Sequence, residues 1–524
     1  MSHVSRRKFL QQSMAFAGAT FAIGVGGRPV LGANERINIG VVGVGGRGGG
    51  HLGTYMGMKD VDVTYAIDVD SRRAQGGRGR AESSLLKQIM REQKYREPKA
   101  PKDATKEEKA RIKEEHEKKM AGFRKAIDQN RLPKAVQDVR KALEDKNLDA
   151  LSCATPNHWH ALMTIWAVQA EKDIYVEKPC SHNVFEGRIA SDLIAKSKQI
   201  VQTGTQRRSE SRWAQMIEIT KSGKLGKLLI SHGIASKPRG GIGTAKPEDP
   251  PKNLDWDLWV GPAPMQPYHS RLVHYNWHWF WDFGSGEIGN QGVHQTDVAR
   301  WAIPGATHPT SIFSIGGRIE WGDMAQTPNT QLTIYDYGET LLLFEVCNLV
   351  GGKVSGNVRR VSNDFIYEAG KVVDGRSFYP KDGGGKKAPM PKVDVKVFPG
   401  GPFGNFINCV RSRKQDELNA PYLEGHYSAA ICHLGNISYR LGKEVTFDKF
   451  GDKPFEGDYT NERWACLQEH LTTNRKLKLA ECKGRVGLAL KFDPEKEQFV
   501  GAPPEANKLL TRPARKPFDV PEKV

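Results

Sequence analysis

From residue 36 onward, short apolar runs alternate with stretches in which apolar residues recur at helical spacing. Ile37–Val42, Val61–Ile67 and residues 148–154, 174–176 and 200–203 are rich in β-branched side chains and read as strands, while residues 158–170 and 183–198 read as intervening helices. Continuous apolar strands separated by helices predict a parallel sheet buried on both faces, in a first domain over residues 35–205. After Gln206 the texture changes. A helix over 211–222 is followed by extended runs at 228–234, 330–335 and 340–346 with no regular helices between them, which predicts a largely antiparallel sheet in a second domain over 206–524. A late helix over 426–441 runs up to Gly442, and glycine-rich stretches at 351–356 and 382–391 read as surface loops.

Composition narrows the function class. At 524 residues, 38% hydrophobic and 26% charged, the chain is ordinary for a globular protein and too polar for a multi-spanning membrane protein. The net charge of +18 would suggest nucleic acid, but residues 72–134 alone hold 20 basic and 10 acidic groups, and residues 1–33 hold four basic groups and no acid. The basicity therefore belongs to an insertion at about 76–132, and no nucleic-acid partner is expected. In the second half of that insertion Ile112, Met120, Phe123 and Ile127 form a narrow apolar stripe beside Glu107/Arg111, Glu114/Lys118 and Glu115/Lys119 pairs, the pattern of a solvated helix or hairpin. Seven cysteines without a C-x-x-C pair indicate buried thiols, with no disulfide framework or zinc site.

Ser5-Arg6-Arg7-Lys8-Phe9-Leu10, an apolar run over 14–25 and small residues near Gly32-Ala33 have the layout of a twin-arginine export signal over 1–33. A stable membrane span is not expected, because the run is glycine-broken and shorter than the roughly 20 apolar residues needed. The expected location is the periplasm, with the twin-arginine export machinery as a transient partner.

Strand Ile37–Val42 runs directly into Gly43-Val44-Gly45-Gly46-Arg47-Gly48, a G-x-G-x-x-G where a helix should begin. Glycine there permits a tight turn and lets the backbone reach a pyrophosphate that the helix N-terminus stabilises. Asp68 ends the next strand, 20 residues after Gly48, where a carboxylate can bind the adenosine ribose hydroxyls of NAD. Arg72 and Arg73 follow closely and offer the alternative of gripping the 2′-phosphate of NADP.

Two further segments, Ala154-Thr155-Pro156-Asn157-His158-Trp159-His160 and Tyr175-Val176-Glu177-Lys178-Pro179, follow strands at the carboxyl end of the expected sheet, where open α/β sheets bind ligands. With the glycine loop and Gly292-Val293-His294-Gln295-Thr296-Asp297, these motifs make the chain resemble the Gfo/Idh/MocA superfamily of oxidoreductases over nearly everything after the signal. The resemblance implies an α/β protein with an N-terminal Rossmann domain and a C-terminal α/β domain. The latter's large, mostly antiparallel open sheet bears substrate and is often used for dimerisation, so a homo-oligomer is expected. It further implies that Lys178 matches the catalytic lysine and His294 the histidine assigned to proton transfer, on a hydroxyl of a sugar, cyclitol or sugar derivative.

Chemistry supports those roles independently, because moving a hydride from a C–OH carbon requires removal of the hydroxyl proton, which a near-neutral imidazole can take. On a helix beginning near Asn290, residues Asn290, His294 and Asp297 would share a face. Many family members carry aspartate four residues before the histidine. Here Asn290 stands there and cannot accept a proton, so either Asp297 takes part of that role or His294 and Lys178 act without a carboxylate. Thr155, Pro156, Asn157, His160 and Glu177 are expected to line the cofactor. His158, His160 and His182 lack zinc-site spacing, and no metal is expected. The aromatic run Tyr275-Asn276-Trp277-His278-Trp279-Phe280-Trp281 suits either sugar stacking or core packing, and Arg207 and Arg208 either bind substrate or pair with acids.

The leading function is an exported NAD(P)-dependent oxidoreductase. An NAD-dependent glycosidase of the same superfamily, working by transient oxidation and elimination, is the nearest alternative, and a non-catalytic sugar-binding protein is the third. Members of the glycosidase branch generally lack the lysine of Glu-Lys-Pro. An exported nicotinamide enzyme has no free cofactor pool, so tight retention of the nucleotide is expected.

Overall fold

Six short strands, β1 (Ile37–Val42), β2 (Val61–Ile67), β3 (Lys134–Val136), β4 (Ala150–Cys153), β5 (Asp173–Val176) and β6 (Val201–Thr203), pair in parallel in the order β3-β2-β1-β4-β5-β6. This computed structural model describes residues 36–127, 131–351, 358 and 361–523. The expected export signal over 1–33 and nearly all of the glycine-rich 351–356 stretch lie outside the described residues.

The central strands have no polar face because both faces are covered. Ile39 and Val41 pack with Leu52 and Tyr55 of α1 (Gly46–Met56). Beside α1 runs α2 (Ser71–Glu92), then α3 (Lys106–Lys125). On the other face Leu151 and Ile174 meet Leu162, Met163 and Ile165 of α4 (His160–Gln169), with Ile189 and Ala190 of α5 (Val184–Ala195). Each such fully buried aliphatic side chain contributes about 1.5–3 kcal/mol. The strand order reverses between β1 and β4, which opens a crevice at their carboxyl ends.

The insertion is a pair of helices. Asp70 caps α2 by accepting from the Arg72 amide at 2.9 Å, and Thr105 and Glu108 form a capping box at the start of α3. Leu85, Ile127 and Leu132 bury a small cluster, while most of α3 is exposed. Within α3 the described i,i+4 ion pairs are Arg111–Glu115 and Lys113–Glu117, at 4.0 and 3.8 Å, in place of the three expected from spacing. Long exposed side chains choose among several helical neighbours at little difference in free energy.

The second sheet has eleven strands: β7 (Leu228–Ala235), β8 (Ser311–Gly317), β9 (Thr330–Asp336), β10 (Leu341–Cys347), β11 (Val361–Tyr367), β12 (Gly370–Val373), β13 (Ser377–Pro380), β14 (Lys443–Thr446), β15 (Lys483–Val486), β16 (Leu490–Asp493) and β17 (Gln498–Val500). All pairings are antiparallel except β7 with β10. The flanking helices are α6 (Ser211–Lys221), α7 (Val293–Trp301), α9 (Tyr422–Arg440) and α10 (Asp458–Glu469), and a further helix, α8 (Gly401–Ser412), precedes α9 in the chain. One core joins Phe344, Val346 and Phe365 of the sheet to α7 and α9, and a separate core sets Leu332 and Leu343 against Trp464 and Leu467 of α10.

Stretches from beyond residue 206 return to the first sheet. Phe406, Ile407 and Val410 of α8 join the Ile39 and Val41 core, and Phe518 packs edge-on to Trp159 at 5.5 Å. The seven cysteines are free thiols, five of them buried. Among the described residues no helix is long and apolar enough to cross a membrane.

Candidate active site

The glycine loop is shaped by two close approaches. Gly43 leaves β1 with φ of +77°, and a Cβ there would lie 2.7 Å from the Ala154 oxygen. A Cβ on Gly48 would meet the Gly43 oxygen at 1.9 Å, so its absence lets α1 sit directly on the strand end. The first turn of α1 carries no acidic residue, and Gly45, its N-cap, has no side chain to occupy the free amides. Gly43, Gly45, Gly46 and Arg47 line a cavity of about 550 Å³. That helix terminus is a ready anion site. Gly48 stands behind the wall and serves the packing of helix on strand.

Asp68 lines the same cavity at the end of β2. Burial pushes its carboxyl up to about 6, against the lowering effect of the Asp70 amide 3.1 Å away and of the Arg73 charge. Arg73 reaches the cavity wall and Arg72 does not. The chain between β7 and β8 crosses over this end. Asn253 donates through Nδ2 to Asp70 Oδ1 at 2.8 Å and through its carbonyl accepts the Ser71 amide at 2.9 Å, and the Asp255 amide donates to the Val69 oxygen at 3.0 Å. His274 Nε2 lies 3.2 Å from Asp70 Oδ2, and Trp259 and His274 complete the wall. This crossing forms a clasp over the Asp68 loop.

At the other end, Thr155, Pro156, Asn157, His160, Glu177 and Lys178 face Asn290 and His294 across the cavity. His160 ties the two loops of the first domain together, with Nδ1 2.6 Å from the Pro179 oxygen and Nε2 2.9 Å from the Thr155 oxygen. Glu177 Oε1 accepts from Arg47 Nε at 2.7 Å and pairs with His51 Nε2 at 3.0 Å, and His51 Nδ1 reaches Ser152 Oγ at 2.9 Å. Burial alone would raise the Glu177 carboxyl, but the His51 hydrogen bond and the His51, Arg47 and Lys178 charges outweigh it and hold the group well below the usual range. Lys178, after the Glu177 carboxylate and before a cis proline, donates through Nζ to the main-chain oxygen of Asn290 at 2.7 Å. Burial lowers its pKa, with the Glu177 charge opposing. His294 is held well below its usual pKa by burial and then by Lys178, which keeps the ring neutral, and its buried Nδ1 has no partner among the described residues.

The structure does not bring Asp297 to this cavity. A π-helical turn at Ile288–Gly292 precedes α7 and still leaves Asn290 beside His294 on the cavity. Asp297, three residues past His294 in the regular helix, is turned about 60° away from it. Asn290 and His294 face the cavity, whereas Asp297 is fully buried, accepting from Arg208 Nε at 2.9 Å and from Ser428 Oγ at 2.8 Å. Arg208 is thereby committed to acids, and Arg207 donates to Asn363 Oδ1 at 3.1 Å. Of the aromatic run, Tyr275, Trp277 and His278 line the cavity, while Trp279 and Phe280 pack in the core beneath.

Sequence reasoning missed His51, Lys237 and Gln291. His51 lies four residues after Arg47, hence on the same helical face, which is the one local signal that pointed to it. Lys237 and Gln291 also line the cavity, 3.4 Å apart through Nζ and Oε1. His158 and His160 both contact main-chain carbonyls. Among the described residues His308, His426 and Glu497 converge as a metal site would, but Arg188 Nε also donates to the same Glu497 oxygen at 3.1 Å, so hydrogen bonds and an ion pair account for the cluster.

Comparison with known proteins matches two models of one oxidoreductase family, Gfo/Idh/MocA: its NAD-binding Rossmann fold over residues 77–205 and its C-terminal alpha/beta domain over residues 239–320. The scyllo-inositol 2-dehydrogenase (NAD(+)) of Bacillus subtilis (strain 168) is 32% identical over 98 residues, 19% of this chain and 29% of that protein. The levoglucosan dehydrogenase of Pseudarthrobacter phenanthrenivorans is 23% identical over 169 residues, 32% of this chain and 36% of that protein. These matches thus span little more than a third of the curated relatives at most. Among solved structures, the WlbA dehydrogenase from Bordetella pertussis in complex with NADH and UDP-GlcNAcA overlaps 76% of this chain and 94% of its own, at 15% identity and a TM-score of 0.48.

Proposed function

We propose that this chain is an NAD-dependent oxidoreductase that moves a hydride between the nicotinamide and a C–OH carbon of a sugar, cyclitol or sugar derivative. The observation that carries the reading is one cavity whose wall holds the glycine loop and Asp68 at one end and Lys178 and His294 at the other. Bound NAD would supply the hydride acceptor. The residues present fit it: the acid-free helix N-terminus and its glycine cradle suit a pyrophosphate, and the Asp68 carboxylate suits ribose hydroxyls and disfavours a 2′-phosphate.

His294, neutral and with a free nitrogen, takes the substrate hydroxyl proton. Lys178 spends one N–H on the Asn290 oxygen and keeps two donors to orient the substrate oxygen, and its lowered pKa lets it relay the proton. Arg47, His51 and Glu177 hold the Lys178 loop in register with the glycine loop. Tyr275 and Trp277 offer aromatic surface to a sugar ring.

Further elements of this reading are export by the twin-arginine route to the periplasm, supported by residues 5–10, and retention of the nucleotide, supported by the clasp of Asn253 and His274 on Asp70. A homo-oligomer, which the resemblance of the sequence motifs implies, is part of it as well. A panel of sugars and cyclitols followed by nicotinamide absorbance tests the activity. Substrate-dependent change at the nicotinamide band is expected. Release of free sugar from a glycoside with no net absorbance change would replace this reading with the oxidative-elimination glycosidase.

A further inference from the structure

A second cavity, of about 200 Å³, lies between the start of α5, the end of α9 and the chain around residues 508–513. Its wall includes His182, Asn183, Trp281, Arg440, Lys508 and Arg512. The site described above uses none of these residues.

The lining holds several buried polar atoms without a partner among the described residues, donors foremost. The Asn183 Oδ1 caps α5 by accepting the Glu186 amide at 2.9 Å, yet its Nδ2 is buried without a partner among the described residues. Arg512 spends Nε on Glu186 and Nη2 on the His158 oxygen at 2.8 Å, while its buried Nη1 has no partner among the described residues. His182 Nε2, donor or acceptor according to tautomer, and Asn436 Oδ1, an acceptor that a P–OH group could reach, are likewise buried and unpartnered among the described residues. The Arg440 guanidinium lies over the Trp281 ring at 5.1 Å and, among the described residues, makes no hydrogen bond. Buried polar groups are ordinarily satisfied, and several unsatisfied donors around one void mark a ligand's place.

The charge balance says which ligand. Arg440, Lys508 and Arg512 face a single acid in the wall, Asp282, which is exposed and accepts from Gln266 Nε2 at 3.0 Å. Glu186, behind Arg512, neutralises one of the three cations. The remaining excess is positive, the donors come from three separate chain segments, and the mouth at Lys508, Thr511 and Pro513 is exposed. We infer that this cavity binds a small tetrahedral oxyanion of the phosphate class, held by Asn183, Arg440 and Arg512, either as free phosphate or as the terminal group of a phosphate ester. The void admits such a group with a few waters and excludes a second dinucleotide.

Titration calorimetry on the full chain, with NAD at saturation so that the glycine loop is filled, tests the inference. Inorganic phosphate is titrated against sodium chloride of equal ionic strength, and a hexose 6-phosphate is run in parallel. One phosphate per chain with a dissociation constant at or below about 1 mM is expected, weakened about 10-fold or more in Arg440→Gln, at unchanged NAD affinity. Lys508→Gln, an exposed change at the mouth, should weaken binding less. Tighter binding of the ester than of phosphate identifies an organic phosphate as the occupant, and the reverse identifies the free ion. Phosphate heats no larger than those of chloride, or undiminished binding in both variants, would overturn the site.

Discussion

Lys178 Nζ is anchored by the main-chain oxygen of Asn290, 2.7 Å away, and not by that residue's side chain. The identity of the side chain at 290 therefore leaves the lysine's anchor untouched, since any residue there presents the same carbonyl. Lys178→Ala and His294→Ala should each lower kcat about 10²-fold or more, the usual contribution of a positioned proton-transfer group. Asn290→Ala should cost less than about 10-fold. Steady-state kinetics on the best substrate of the panel checks this, and a Lys178→Ala enzyme with normal turnover would remove the lysine from the reaction.

The difference between what was legible in the chain and what was not follows from where each signal resides. Strands β1 and β2 match their sequence limits because β-branched and apolar residues fill most of their positions and are buried, with only Asn38, Asp62 and Thr64 polar and partly exposed. Strand β3 escaped notice, being three residues that begin with an exposed lysine. The glycine loop, Asp68, Lys178 and His294 were legible because local backbone demands and short-range motifs specify them. Asp297 was expected at the cavity because residues three apart on a helix share a broad face, but the buried Arg208 and the Ser428 hydroxyl of α9, far away along the chain, take up its carboxylate. His51 had only its helical spacing from Arg47 to mark it, because its partners Ser152 and Glu177 lie 101 and 126 residues away along the chain.

Asp68 makes nucleotide binding pH-dependent. Its folded-state pKa is raised from 3.8 to about 6, so the fold favours the protonated acid and loses stability at this group as pH rises between those values. Ribose hydroxyls need the ionised form as acceptor, so NAD affinity should rise with pH up to about 6 and then level off. Asp68→Asn should abolish that dependence. Asp68→Ala should weaken NAD more than NADP. Fluorescence titrations across pH 5–8 test both statements, and an unaltered cofactor preference would show that Asp68 is not the ribose ligand.

Gly48→Ala places a methyl group against the Gly43 oxygen, which has no room to move because β1 holds it. The change should cost about 2 kcal/mol or more of stability, as overpacking against backbone does, and should weaken the nucleotide strongly. Denaturant unfolding of the purified variant measures the first effect and equilibrium dialysis with NAD the second.

The insertion divides into a part that packs and a part that does not. Leu85, Ile127 and Leu132 are buried together, whereas α3 is solvated apart from Phe123. Replacing residues 96–121 by a short Gly-Ser linker should leave a folded, nucleotide-binding protein with a lower net charge. Failure to fold would show that the helix pair has an obligatory partner.

Retention of the cofactor has a direct measure. Protein recovered from the periplasm, dialysed and heat-denatured should release about one nucleotide per chain, the stoichiometry of one fingerprint site. Asn253→Ala removes the side-chain hydrogen bond to Asp70 and should speed exchange of that nucleotide. Recovery of empty protein that exchanges NAD freely would refute retention while leaving the dehydrogenase reading in place.

The clasp has a thermodynamic consequence too. Asn253 and Asp255 bind the β2 loop, α8 buries Phe406 and Ile407 against β1, and Phe518 packs on Trp159, so three stretches of the later chain are built into the first sheet. Neither sheet can melt without stripping these contacts from the other. Two lobes sewn together in this way should give a single calorimetric endotherm, with the van't Hoff and calorimetric enthalpies in agreement, where independently folded lobes would give two.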